Sequence, residues 1–337
     1  MAMREPAFWW RKPGLAAGLL APLGAVYGAV AARRLARRGT RAAMPVICVG
    51  NFTLGGAGKT PTAMFIAGLL AQAGERVFCL SRGYGGSEPG PKRVDFHTDH
   101  GAQVGDEALL LARAAPTIIA RDRVASAALA KAQGASVVVM DDGLQNGSLA
   151  KDFTLAVVDA KRGVGNACVF PAGPLRAPLV AQLKRCDALL VVGDGDGARD
   201  VVMAATARGL PVLHGRLTPD AAAVTALQGR KVLAFAGIGD PEKFFATARA
   251  AGITVERTVA FPDHHRFTAE EAAELIMEAE HDGLALLTTE KDHARMAGDA
   301  LLDALSARAH VLPVTMTFDE PEALRVMLMA SLRRKTP

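Results

Sequence analysis

From position 45 onward, short runs of β-branched and other apolar residues alternate with alanine-rich stretches. Runs at 45–50, 76–81, 117–120, 136–141, 153–159 and 188–193 have the length and content of strands, and the segments 61–73, 107–114 and 123–133 between them have those of helices. This alternation predicts a parallel sheet covered by helices. A second series follows, with strands at 231–238, 254–261 and 285–289, helices at 241–251 and 269–280, and a last helix and strand between 301 and 314. The rhythm is weakest at 209–229, so a linker is expected at 216–230. The expectation is an α/β protein with a larger domain over 45–215 and a smaller one over 231–330. Solenoid periods and low-complexity tracts are absent from the sequence.

Residues 13–32 break this pattern, because twenty uncharged residues in a row have about the length that spans a bilayer as a helix. Charge sharpens the picture. The chain of 337 residues holds 39 Lys plus Arg against 34 Asp plus Glu, a net +5. Eight of the basic residues (Arg4, Arg11, Lys12, Arg33, Arg34, Arg37, Arg38 and Arg41) lie in the first 45 positions beside one acid, Glu5, leaving 31 basic and 33 acidic groups in the body. The basicity therefore belongs to the N-terminal segment, 1–44. This removes the basis for nucleic-acid binding by the body and points instead to an anionic membrane surface.

Three readings of the segment stay open. It spans the membrane as a helix, it lies in the interface with Phe8, Trp9 and Trp10 beside Arg11 and Lys12 as an anchor, or it is a core helix with a basic flank. Pro22, four glycines and many alanines make it only mildly hydrophobic. The Arg cluster that follows is a poor context for a cleaved signal peptide, and it places the body in the cytoplasm if the segment spans. Half of the residues are hydrophobic, enough for a substantial core. Cys48, Cys79, Cys168 and Cys186 show no paired or metal-like spacing and read as buried, reduced thiols.

The chemistry concentrates in VGNFTLGGAGKTP, between a predicted strand and a predicted helix. A phosphate-binding P-loop has a Gly, four residues, then Gly-Lys-Ser/Thr. Gly58, Lys59 and Thr60 fit, while the first position is Thr53. Thr53, Leu54, Gly55, Gly56, Ala57, Gly58, Lys59 and Thr60 are the expected nucleotide-binding residues. Their amides close around phosphate oxygens at a helix N-terminus, Lys59 reaches the β and γ phosphates, and Thr60 offers a hydroxyl to Mg²⁺. Such a loop needs an acid at the end of a neighbouring strand. SVVVMDDG supplies Asp141 and Asp142. Read alone, two aspartates there also suit a turn; beside the P-loop, Asp141 reads as a metal ligand and Asp142 as its support. Together the motifs specify a nucleotide with Mg²⁺, but not what is done with it.

With these motifs the chain resembles the tetraacyldisaccharide 4'-kinases of lipid A biosynthesis. GNFTLGGAGKTP, SRGYGG (81–86), VGDEA (104–108), DDGLQ (141–145), FPAGPLR (170–176), AGIGDPEKFF (236–245), FPDHH (261–265) and TEKD (289–292) stand in the order of that family. The resemblance covers about 10–330. It implies a P-loop NTPase-type parallel-sheet domain and a smaller Rossmann-like C-terminal α/β domain, with an N-terminal membrane-associated helix and substrate in the cleft between the domains. It also implies transfer of the γ-phosphoryl group of ATP to the 4'-hydroxyl of an acylated glucosamine disaccharide 1-phosphate, giving lipid IVA. The implied location is the cytoplasmic face of the inner membrane of a Gram-negative bacterium, with the protein monotopic or single-span. The alternative is a membrane-bound P-loop ATPase acting as a regulatory switch.

By the same resemblance, Asp106 is the catalytic base and His264 its partner, with Lys59 acting on the phosphates. A sugar hydroxyl needs a carboxylate or imidazole within hydrogen-bond reach, and a neighbouring His can orient that carboxylate. His265, next in sequence, is the competing histidine. Glu107 and Asp141 join Thr60 as expected Mg²⁺ ligands, although Glu107 alone also suits charge compensation in the first turn of a helix. Arg82, Tyr84, Gln145 and Arg176 are implied to line the substrate cleft, and Arg121 and Arg123 are either similar or a solvated helix start. Lys291 and Asp292 of TEKD carry no role beyond proximity to the cleft or a domain-stabilising ion pair. Two positions depart from the family pattern: Asn146 stands where His is usual, and Ala177 where an acid is common.

Overall fold

The computed structural model describes residues 5–296 and 300–333; Arg4 lies outside them. The chain opens with a short 3-10 turn, Ala7–Trp10, and the helix α1 (Leu15–Ala36), which contains Pro22. The strand β1 (Val46–Asn51) is buried at all six positions, as its unbroken apolar sequence requires of a strand covered on both faces. Next come α2 (Lys59–Gln72), β2 (Val77–Ser81), β3 (Lys92–Arg93), α3 (Gly101–Val104), α4 (Asp106–Ala114), β4 (Thr117–Ile119), α5 (Arg123–Ala132), β5 (Val137–Asp141) and β6 (Phe153–Asp159). The short α6 (Leu179–Leu183) leads to β7 (Ala188–Val192), α7 (Arg199–Thr206) and β8 (Val212–Pro219). The remainder comprises α8 (Ala221–Ala226), β9 (Lys231–Ala236), α9 (Pro241–Ala250), β10 (Thr254–Ala260), α10 (Ala269–His281), β11 (Ala285–Thr288), α11 (Glu290–His293), α12 (Ala300–Arg308), β12 (His310–Val311), β13 (Val314–Phe318) and α13 (Pro321–Arg333).

The strands form two sheets. The larger has the order β13-β8-β7-β6-β1-β5-β2-β4-β3 and is parallel apart from its edge strands β13 and β3; the smaller, β10-β9-β11-β12, is parallel throughout. In the larger sheet β1 lies between β5 and β6, with Val49 level with Asp141 and Asn51 level with Val157. Parallel strands end on the same side, so the loop after β1, the acids after β5 and Asp159 at the end of β6 share one edge. Crevices at the carboxyl ends of such strands are where α/β folds bind ligands.

The expected boundaries differ in two places. The segment assigned to a linker, 216–230, contains the second half of β8 and all of α8. The chain also returns from the second unit to the first within the span 231–330. β13 pairs antiparallel with β8, Val314 opposite Pro219, and α13 buries Leu324, Leu328 and Leu332 in the core formed by α2 and β1. The second unit is thus an insertion between two neighbouring strands, its two connections tied by the Asp220 amide donating to the Pro313 carbonyl at 2.9 Å. Sequence rhythm misses this because β8 alternates buried and exposed positions, as a near-edge strand does, and its partner lies about a hundred residues away.

The N-terminal segment also departs from expectation. Trp9 is buried and donates its indole N–H to the Pro171 carbonyl at 3.0 Å, and Trp10 lies under the Arg162 guanidinium at 3.7 Å. These rings fasten the segment to the body rather than facing outward. On α1, Ala17, Gly24, Gly28 and Leu35 form the buried stripe. A Cβ on Gly24 would stand 2.9 Å from the Val169 carbonyl oxygen, so glycine permits the close approach. Three cysteines are buried and Cys168 is half-buried.

Candidate active site

The loop from Phe52 to Gly58 turns β1 into α2. Gly55 and Gly58 have φ of 97° and 89°, a conformation open to glycine at little cost, and Gly58 directly precedes α2. Thr53, at the position where the P-loop pattern has glycine, forms a bridge with Leu175, and the Leu54 amide donates to the Pro174 carbonyl at 2.9 Å. An extended, β-branched residue suits that bridge. The FPAGPLR segment therefore props the front of the loop. Arg176 donates from Nε to the Thr53 carbonyl at 2.8 Å and from Nη1 to both oxygens of Asp142, at 2.8 and 3.0 Å. Lys59 Nζ lies 3.8 Å from Asp142 Oδ1; burial pushes its pKa down while Asp142 pulls it up.

Thr60 Oγ1 donates to Asp141 Oδ2 at 2.9 Å, and Asp141 Oδ1 is buried with no hydrogen-bond partner among the described residues. Burial and the adjacent Asp142 push the Asp141 carboxyl up to about 6. An unsatisfied carboxylate oxygen beside a Thr hydroxyl is a hard-oxygen donor set that fits Mg²⁺, whose charge would hold Asp141 ionised. Behind it, Arg123 is buried and donates from Nη2 to the Asp141 carbonyl at 3.4 Å. Burial brings its pKa down to about 10.

Asp106 opens α4 after Gly105, whose φ is 87°, and is only 4% exposed. His264, in a turn at φ 57°, brings Nδ1 to 3.7 Å from Asp106 Oδ1. Arg295 Nη2 donates to Asp106 Oδ2 and lies 3.4 Å from His264 Nδ1. Burial alone would raise the Asp106 carboxyl, but the neighbouring His264 ring and the charges of Arg295 and Lys291 hold it well below the usual range. For His264, burial opposes the charged ring, yet Asp106, Asp263 and Glu107 together raise its pKa. Tyr84, 61% exposed, meets the His264 ring edge-on at 5.0 Å.

Across the same junction Lys291 donates to Glu107 at 2.9 Å and Arg113 to Glu290 at 2.9 Å. Donor atoms of Asp106, Glu107 and His264 lie within 4.8 Å of one another, but Arg295 and Lys291 already supply positive charge there. The second unit also reaches the sheet edge that carries the P-loop: Lys243 donates to Asp159, and a Cβ on Gly239 would stand 3.5 Å from the Gly56 amide nitrogen. The P-loop and the Asp106–His264 pair therefore belong to one cleft between the two units. A nucleotide-binding loop, an unsatisfied carboxylate for a hard cation and a carboxylate–imidazole pair can together transfer a phosphoryl group to a hydroxyl.

Comparison with known proteins places this arrangement. The family model described as tetraacyldisaccharide-1-P 4'-kinase matches residues 16–333. The chain belongs to this family. It is 58% identical over 98% of both chains to the tetraacyldisaccharide 4'-kinase of Methylobacterium sp. (strain 4-46), and 53% identical over 98% of both to that of Nitrobacter winogradskyi. Among solved structures, LpxK from Aquifex aeolicus in complex with ATP superposes with a TM-score of 0.72 at 26% identity, covering 94% of this chain and 100% of that one.

Against that family background, several expected site residues have unexpected surroundings. Gln145 donates to the Asn51 carbonyl and to Gln182 Oε1, both at 2.8 Å, and accepts from Arg176 at 3.3 Å. Gln145 and Arg176 thus brace the P-loop, whereas Arg82 and Tyr84 are exposed on the loop after β2. Glu107, expected as a Mg²⁺ ligand, has Lys291 as its partner. His265 bonds Glu271 at 2.7 Å and stacks on Phe261 at 4.8 Å, so it is built into the N-terminal cap of α10 rather than the cleft. Asn146 accepts from the Ser148 amide and hydroxyl at 3.1 and 2.9 Å and closes a turn, and Ala177 is fully buried.

Sequence reasoning missed Arg295, whose signal was a cation three residues after the unassigned Asp292. It also missed Glu5, which Arg162 and Trp10 hold against Gly55 of the P-loop.

Proposed function

We propose that the cleft transfers the γ-phosphoryl group of ATP to the 4'-hydroxyl of a tetraacyldisaccharide 1-phosphate, with Asp106 and His264 handling the hydroxyl proton. The observation that carries this reading is the meeting of Asp106 and His264, from different units, at 3.7 Å in the cleft that holds the P-loop. The P-loop amides and Lys59 hold the β and γ phosphates, and Thr60 and Asp141 would hold Mg²⁺. When bound, that ion neutralises charge on the phosphate oxygens. The sugar oxygen forms its bond to the γ-phosphorus as the bond to the β,γ-bridging oxygen breaks, ADP leaves, and the hydroxyl proton passes to the Asp106–His264 pair. Closing the two units around this step excludes water and limits ATP hydrolysis. Family membership and the carboxylate–imidazole pair favour a kinase over a regulatory ATPase switch, which has no need of His264.

The membrane reading rests on α1. Its small-residue stripe faces Val169, Ala172 and Pro178, while Leu15, 91% exposed, Leu19, Leu23, Val26 and Val30 form the opposite, outward apolar face. A helix with one face fixed to the body is not surrounded by lipid, so α1 lies half-sunk in the interface. Exposed Arg33, Arg34, Arg37 and Arg38 meet anionic headgroups at the cytoplasmic face of the inner membrane. This holds the cleft near a substrate whose acyl chains stay in the bilayer.

Detergent-solubilised protein should move labelled phosphate from ATP to the acylated disaccharide 1-phosphate. Robust ATP turnover without phosphorylated lipid would overturn the reading.

A further inference from the structure

We infer that Arg295 is a positioning residue that holds Asp106 and His264 in reacting order, and that Thr289 and Asp292 of TEKD aim it. The inference rests on the reading of Asp106 as the base.

The guanidinium is fixed from behind by its own unit. Nη1 donates to the Gly237 carbonyl at 2.7 Å and to Asp292 Oδ1 at 2.8 Å. Asp292 is completely buried, and its other oxygen accepts from Thr289 Oγ1 at 2.7 Å. The chain Thr289, Asp292, Arg295 thus points Nη2 across the junction, where it meets Asp106 Oδ2 and His264 Nδ1 together. With Oδ2 occupied, Oδ1 is left facing His264 and the cleft.

Among the described residues three ion pairs cross between α4 and the α11 region, and they are not equivalent. The side chains of Lys291–Glu107 and Arg113–Glu290 keep between 17% and 38% of their surface exposed, whereas Arg295 and Asp106 keep 7% and 5%. The desolvated pair is the directional one, its guanidinium shared between Asp292 on one nitrogen and Asp106 on the other, and breaking it leaves a charge buried without its partner. Lysine presents a single point charge. It cannot serve Asp292 and Gly237 with one nitrogen while serving Asp106 and His264 with another.

The test uses full-length, detergent-solubilised protein and the lipid-phosphorylation assay, with Arg295→Met, Arg295→Lys, Asp106→Asn and the Arg295→Met/Asp106→Asn double variant. Arg295→Met should lower kcat about 100-fold, the scale of a misplaced reacting group, with the KM for ATP within about twofold of wild type. Arg295→Lys should recover part of that loss. Because Arg295 acts through Asp106, the double variant should be no slower than Asp106→Asn alone. Losses that multiply in the double variant, or an Arg295→Met effect confined to KM, would overturn the inference. Near-normal turnover by Asp106→Asn is a separate result, which removes the base reading itself. If thermal unfolding shows that Arg295→Met does not fold, Asp292→Asn decides. It keeps the guanidinium but loosens its rear anchor, so kcat should fall at unchanged KM for ATP, and an unchanged kcat overturns the inference.

Discussion

Two pairs of adjacent acids mark this site, and they are built in opposite ways. Asp141 and Asp142 end a buried strand and find their partners within their own unit: Thr60 for the first, Arg176 and Lys59 for the second. Asp106 and Glu107 open a helix and find their partners in the other unit: Arg295 and His264 for the first, Lys291 for the second. The first pair exists whenever the large sheet is folded. The second acquires its partners only where the inserted unit closes onto α4. Their electrostatics diverge accordingly, with Asp141 pushed up to about 6 by burial and its neighbour, and Asp106 held low, against its burial, by three cationic or hydrogen-bonding partners. In the first pair Asp142 already has its cations and only Asp141 keeps an oxygen without a partner among the described residues, whereas in the second both acids have cationic partners in place.

Substitutions can break this contrast in order of size. Asp106→Asn should lower kcat for lipid phosphorylation by about 10²–10⁴-fold, the usual worth of general base catalysis, with little change in the Mg²⁺ concentration giving half-maximal rate. Asp141→Asn should behave the other way in a Mg²⁺ titration of the same assay, raising the half-maximal concentration by about 100-fold and recovering rate at high Mg²⁺. Lys291→Met asks which pair Glu107 serves. If the lysine withholds Glu107 from the metal, its removal should lower the Mg²⁺ requirement by about threefold; an unchanged titration would leave Glu107 with the proton-handling side. Arg113→Ala removes the half-exposed pair with Glu290 and should change stability, measured by chemical unfolding, by less than ~1 kcal/mol.

How legible each region was in the sequence follows from the same difference. The P-loop, Thr60 and Asp141 could be placed from spacing because their geometry is carried by contiguous backbone: a buried apolar strand, glycines with positive φ, and a helix start. Gln145 and Arg176 were assigned to the cleft by resemblance, and their hydrogen bonds to Asn51, Thr53 and Asp142, which brace the P-loop, are contacts that no local pattern announces. The aromatic residues Trp9 and Trp10 looked like a membrane anchor beside their basic neighbours. Their roles changed because Pro171 and Arg162 come forward to meet them. The C-terminal boundary was misplaced for a similar reason, since β13 gains its stability from β8 and the α2 core rather than from the strands that precede it.

The sequence by itself determined the strand–loop–helix that holds phosphate, the acid at the end of the neighbouring strand, the concentration of positive charge at the N-terminus and the family to which the blocks point. The phosphate loop and the charged segment depend on residues near one another in the chain, where backbone conformation and periodicity dictate the outcome, and the acid and the family blocks are legible from short motifs in a fixed order. Only the tertiary structure decided that the second unit is inserted between β8 and β13, that α1 fixes one face to the body, and that Arg295 stands over an aspartate 189 positions earlier in the chain. Those contacts form between distant segments after both have folded, and their energy comes from desolvated charge and close packing that no local pattern records.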